Sequence, residues 1–197
     1  MANHSINDFV RAFKGGTRLN RFVVEGTVGP GTSTSKRLTP FHIRSASIPE
    51  ATIGPVAINY RGRTVTYSGD RVYQPWQITV LDDHAGGQND PENLFKMFHD
   101  WHDQLNSHTG NITTFSGGRI NDLSSLWSDI WTVKQFSLNA DTALYGRAFK
   151  LFNVWPIGIG PLVLDMSQDN TLASFAVTLM YSHYTYEGAP FSSQTGL

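Results

Sequence analysis

Apolar and polar positions recur with two different periods along this chain, and the switches between them divide it into elements. Ile6, Phe9, Val10 and Phe13 fall at helical spacing behind Ser5 and Asp8, a cap-like start, and Gly15-Gly16 ends the run. This predicts a short N-terminal helix with one apolar stripe. From Arg21 the period drops to two, with Phe22, Val24 and Val28 on one face and Arg21, Glu25 and Thr27 on the other, the signature of a half-buried strand. Gly29 to Thr39 is rich in Gly, Ser and Thr and reads as a loop; Phe41 and Ile43 alternating with His42 and Arg44 then predict a second strand.

Ile53 to Ser68 has the pattern of a β-hairpin: Val56, Ile58 and Tyr60 lead into an Arg61-Gly62 turn, and Arg63, Val65 and Tyr67 return. Its apolar content is modest and both arms carry polar residues, so it is expected to project from the domain. Trp76, Ile78 and Val80 alternate with Gln77 and Thr79 in a strand that ends at Asp82-Asp83. Asp90 as N-cap, Pro91 and Glu92 supply three start signals for the main helix, whose stripe of Leu94, Met97, Phe98, Trp101 and Leu105 should pack on a sheet. Residues 107–129 show neither period clearly and read as an insertion. Period two returns in Val133 to Leu138, Phe149 to Val154, Leu162 to Met166 and Leu172 to Tyr184. The last of these sets Phe175, Val177, Leu179 and Tyr181 against an uncharged face of Ala176, Thr178, Met180 and Ser182. Residues 188–197 form a small, polar tail. Several strands with two helices and no βαβ alternation give a mainly β fold, two antiparallel sheets as a sandwich or barrel, in a single domain over residues 1–187.

Composition narrows the function classes. Only 16% of the 197 residues are charged against 40% hydrophobic, so much of the surface must be neutral, as a subunit surrounded by its own copies tolerates. The 15 basic and 16 acidic residues nearly cancel, and tight non-specific binding of nucleic acid is not expected. The chain has no cysteine, which removes disulfides, Cys nucleophiles and Cys-based metal sites. Neither a secretory signal nor a membrane-spanning run is expected.

The candidate chemistry is thin. His99, His102 and His108 with Asp100 and Asp103 lack the spacing and the Glu of a zinc-peptidase helix, so polar helix-face residues are the favoured reading and a metallohydrolase a distant one. Gly29-Pro30-Gly31 followed by Lys36 lacks the Gly-Lys-Ser/Thr ending of a phosphate loop. Asp82, Asp83, Asp165 and Asp169 sit near strand ends, where Asp serves turns; Trp76, Trp101 and Trp155 lie within apolar patterns and read as core. No catalytic, cofactor-binding or metal-binding residue is assigned.

Three ordered blocks carry a resemblance: Tyr60-Arg61-Gly62-Arg63 leading to Gly69-Asp70-Arg71 and Trp76 to Asp83; Phe98-His99-Asp100-Trp101; and Val154-Trp155-Pro156, Gly160, Leu162 to Asp165 and Phe175 to Leu179. In order and spacing the chain resembles the tail-tube proteins of contractile-tailed bacteriophages, from the N-terminal helix to about Glu187. The resemblance implies sheets packed across one another, and subunits joined edge to edge in hexameric rings that stack into a tube within a contractile sheath. The implied partners are further copies of the chain, a tail sheath protein, a tape measure protein in the lumen, and baseplate and terminator proteins; DNA would pass without specific binding. It also implies that the hairpin, with Ile53, Val56, Ile58, Tyr60, Arg61, Arg63, Val65, Tyr67, Asp70 and Arg71, reaches the neighbouring ring. Inner tubes of tailocins and other contractile injection systems, and tube-like baseplate or terminator proteins, share this pattern.

Overall fold

The computed structural model describes residues 6–13, 18–29, 36–82, 93–106, 127–136 and 145–188. Helix α1 (Ile6–Phe13) precedes β1 (Phe22–Glu25) and β2 (Thr27–Val28), then β3 (Lys36–Arg37), a 3-10 turn (Pro40–His42), β4 (Ile43–Ala46), β5 (Ala51–Tyr60), β6 (Arg63–Tyr73) and β7 (Trp76–Leu81). Helix α2 (Leu94–Leu105), β8 (Ser128–Phe136), β9 (Tyr145–Ile159), β10 (Ser174–Met180) and β11 (His183–Gly188) complete it.

The long strand β9 organises the molecule. Its first part pairs with β8 on one side and β11 on the other, and its last part pairs with β10. One antiparallel sheet thus runs β1-β8-β9-β11, and the other runs β9-β10-β7-β4. The handover falls at Asn153, which takes φ 54 and whose amide Nδ2 donates to Ser182 Oγ at 3.2 Å. Asn tolerates this left-handed conformation better than other residues with a Cβ. Beside it the Ser182 N–H donates to Phe152 O where the chain breaks between β10 and β11. The terminal strands β1 and β4 are not hydrogen-bonded to one another, so the path is an open sandwich and not a closed barrel.

Alternation fills the space between the sheets. Val24, Trp131, Val133 and Leu151 come from the first; Trp76, Ile78, Val80, Phe175, Val177 and Leu179 come from the second. Trp76 and Trp131 meet edge to face at 6.0 Å across the core, and Trp131 Nε1 donates to the buried Ser128 Oγ at 3.0 Å. Gly26 separates β1 from β2 because a Cβ there would lie 2.2 Å from the Trp131 ring. Helix α2 buries Leu94, Phe98 and Trp101, with Phe95 and Phe98 edge-on to Phe175 at 5.1 and 6.0 Å. These interlocking aromatic contacts fix the helix on the sheet.

Several sequence expectations shift. The main helix starts at Leu94, capped by Asn93, whose Oδ1 accepts from the Lys96 N–H at 3.1 Å; Asp90 to Glu92 lie outside the described residues. Phe41 belongs to the 3-10 turn and is 86% exposed, and the strand there begins only at Ile43. The Gly29 to Thr39 loop contains β3 and the buried Leu38, whose N–H donates to Gly26 O. Strand β8 starts at Ser128, inside the expected insertion, while residues 107–126 lie outside the described set. Leu162 to Met166 is not a strand, because after Gly160 the chain leaves the sheet and turns on Asp165, which accepts from both the N–H and Oγ of Ser167 at 2.9 and 2.7 Å. Pro156 and Gly158, residue types that usually interrupt strands, lie within β9, past the end of β8, where among the described residues one side of the strand has no paired neighbour. Residues 189–197 of the tail lie outside the described residues.

Candidate functional site

The β5–β6 hairpin is the part of the fold that its own core does not explain. It forms a two-stranded sheet by itself, and almost every side chain along both arms is exposed. Arg61 and Gly62 both take positive φ, 47 and 77, the type I′ geometry that suits the twist of a two-residue hairpin. Arg61 accepts this conformation at a cost Gly would avoid, and its guanidinium lies 5.3 Å from the Tyr60 ring centre. Next to the turn Thr64 Oγ1 donates to Asn59 Oδ1 at 2.7 Å. Lower down, a bulge between Ile53 and Pro55 brings the arms so close that a Cβ on Gly69 would lie 2.7 Å from Gly54 O.

Register divides the hairpin into two unlike faces. Val56 pairs with Tyr67, Ile58 with Val65 and Tyr60 with Arg63, so five large apolar or aromatic side chains and one guanidinium share a face. Their exposure runs from 44% for Val65 to 64% for Tyr60. Pro55, Ala57, Asn59, Thr64, Thr66 and Ser68 make the other face, which is small and neutral. Of the remaining sequence-derived positions, Ile53 pairs with Arg71 beyond the bulge, and Asp70 follows Gly69 there; Arg61 stands at the tip. The exposed Val72 belongs with them, and the period-two pattern running on to Tyr73 is the signal that marks it.

The base is held firmly. Glu50 O accepts from the Gln74 N–H at 3.0 Å and from the Tyr181 hydroxyl at 3.1 Å, and Trp76 Nε1 donates to Ser47 O at 2.7 Å. Tyr73 packs edge-on to Tyr181 and Tyr184 at 5.8 and 5.5 Å. Burial, reinforced by neighbouring Tyr184, Tyr73 and Glu50, pushes the Tyr181 phenol up to about 12, so it remains a donor through the neutral range. The arrangement is a hydrogen-bonded, ring-packed base carrying a two-stranded arm that is exposed among the described residues.

The other candidates do local work. His99 is exposed and its ring lies 4.5 Å from Phe95; His102 is exposed, His108 lies outside the described residues, and Asp100 is paired with Lys96. Among the described residues no group of three His, Asp or Glu could hold a metal ion. Lys36 sits on β3 opposite Val28, and Asp82 donates its N–H to Ala173 O; Pro30, Gly31 and Asp83 lie outside the described set. Trp76 and Trp101 are core, and Trp155 stacks on Trp127 at 5.6 Å.

A sequence model of the family described as phage tail tube protein matches residues 17–187. The chain belongs to the phage tail tube protein family. It is 25% identical over 181 residues to the tail tube protein gp19 of Enterobacteria phage T4, covering 91% of this chain and 98% of that one. The fold is similar to that of the tube-terminating cap of the anti-feeding prophage, with TM-score 0.55, 16% identity, and coverage of 88% of this chain and 91% of that one. It is also similar to a chain of the extended sheath–tube complex of an extracellular contractile injection system, with TM-score 0.54, 13% identity, and coverage of 94% and 99%. Tail tube proteins are structural components of the phage virion. Among the described residues no helix is long and apolar enough to cross a membrane.

Proposed function

We propose that this tail tube protein is the repeating subunit of a hollow conduit, with six copies joined through sheet edges in a ring and rings stacked by the β5–β6 hairpin inside a contractile sheath. The observation that carries the proposal is the hairpin's uncovered face of Val56, Ile58, Tyr60, Val65 and Tyr67. An isolated two-stranded hairpin is marginal in water, and one with an exposed apolar face gains stability from a partner. Among the described residues β1, β11 and β4 each pair on one side only, leaving edges that further copies would satisfy. Closing such edges in a ring removes them, whereas a head-to-tail contact between rings propagates.

The sheet faces turned away from the core support passage of DNA without capture. On one sheet that face carries Ser45, Gln77, Thr79, Ala176 and Thr178, with Arg44 at its rim. On the other, Lys134 pairs with Glu25 at 3.0 Å and Lys150 with Glu187 at 2.6 Å. Neither is the basic lining that would bind phosphates by releasing counterions. The tape measure protein would occupy the lumen during assembly, and sheath, baseplate and terminator proteins would contact the outside and ends. The test is to replace Arg61 to Arg63 with a short Gly-Ser turn and image the purified protein by negative stain. Rings that do not elongate are expected; normal long tubes would refute the hairpin's stacking role.

A further inference from the structure

The hairpin and the segment between β9 and β10 leave opposite ends of one sheet. In the antiparallel pairing of β7 with β10, Trp76 faces Leu179 and Leu81 faces Ser174. The hairpin enters β7 at the Trp76 end, and residues 160–173 lead into β10 at the Leu81 end, about 17 Å away at 3.3 Å per residue. This segment exposes Val163 at 79%, Leu164 at 83%, Met166 at 103% and Leu172 at 70%, more apolar surface than a solvent-facing loop of this length needs. With Arg44 these side chains line an open groove that also holds Asp165, and Asp169 is exposed beside it.

We propose that this groove receives the hairpin tip of a second copy of the chain in the adjacent ring; the inference rests on the tube reading. The two ends complement each other in both character and charge. The tip offers Tyr60 and Ile58 flanked by Arg61 and Arg63; the groove offers Leu164 and Met166 on either side of Asp165, and the exposed Asp169 follows its lining residue Gln168. Arg44, the one cation among the described residues of the groove wall, has its Nη1 3.4 Å from Ser174 Oγ, within donating distance, and Asp165 and Asp169 outweigh it. Asp165 is held below the usual carboxylate range by the hydroxyl and N–H of Ser167, so it stays ionised. The arm, about 30 Å long at ten residues, is long enough to span a ring junction. Because donor and acceptor lie at opposite ends of one sheet, each docking event presents a fresh groove, and the contact propagates.

The experiment compares the intact chain with Leu164→Ser/Met166→Ser and with Asp169→Arg by negative stain, with circular dichroism to check folding. Loss of tubes with retention of rings of unchanged diameter is expected for both variants. The absence of cysteine permits a second measurement at positions beside the contact: Thr64→Cys, next to the tip, combined with Thr171→Cys, on the groove wall, assembled and treated with a short bismaleimide. A covalent ladder longer than a dimer is expected from the pair and from neither single variant. Normal long tubes from the groove variants, including tubes that fail only to bind a sheath, would overturn the inference, as would tubes of the Cys pair without a ladder. No rings or tubes from the intact chain would instead overturn the tube reading itself.

Discussion

Asn153 and Tyr181 show how single residues set the path of the chain. Asn153 holds φ 54 inside a strand where β9 passes from one sheet to the other. Asn153→Ala is expected to cost about 1–2 kcal/mol and Asn153→Gly much less, read from denaturant midpoints. Tyr181 ties the hairpin mount together through Glu50 O, and Tyr181→Phe should cost about 1 kcal/mol with core packing retained. Its phenol titrates near 10.0 when unfolded and at about 12 when folded. The folded state therefore holds more protons between those values, and this contribution is complete below pH 10 and is lost as pH rises toward 12. An alkaline unfolding series should show a decline that Tyr181→Phe reduces. The period-two pattern put Tyr181 on the core face, but its partner is a carbonyl 131 positions away that no local pattern reveals. The same holds for Gly26, whose necessity appears only once Trp131 lies against it.

At the scale of elements, those with one clear period and local closure were legible: the hairpin with its Arg61-Gly62 turn, β7, the core face of β10, and the stripe of α2. Two kinds of element were not. Exposed apolar residues look like core in a sequence, which is why Phe41 and Leu162 to Met166 read as strands although Phe41, Val163, Leu164 and Met166 are almost fully exposed. Elements defined by distant pairing were also blurred: β3 is two residues long, and β9 runs through Pro156 because its partners change along its length. The ten sequence-derived positions fall on β5, β6 and the turn between them, whereas the exposed segment at the other end of the sheet reads as a strand for the same apolar periodicity. The exposed face of the hairpin separates folding from assembly. Val56→Ser/Ile58→Ser/Tyr67→Ser should change subunit stability by no more than about 0.5 kcal/mol per site, measured by denaturation of the unassembled subunit, yet abolish tube growth.

The whole molecule joins an open sandwich, strand edges left unpaired among the described residues, a mounted arm at one end and an apolar groove holding Asp165 at the other. Its low charge, and outward sheet faces that among the described residues are neutral or carry paired lysines, fit the proposed conduit for a polyanion. Assembled tubes should retain no duplex DNA in a filter assay at physiological salt, because no phosphate-binding surface forms on either outward face. On the proposed tube reading, the isolated chain carries its own instructions for ring closure and stacking. Electron microscopy of the concentrated, purified protein tests this directly. Six-fold rings stacked into tubes are the expected result; a monomer at every concentration, which also fails to assemble on a baseplate, would contradict it.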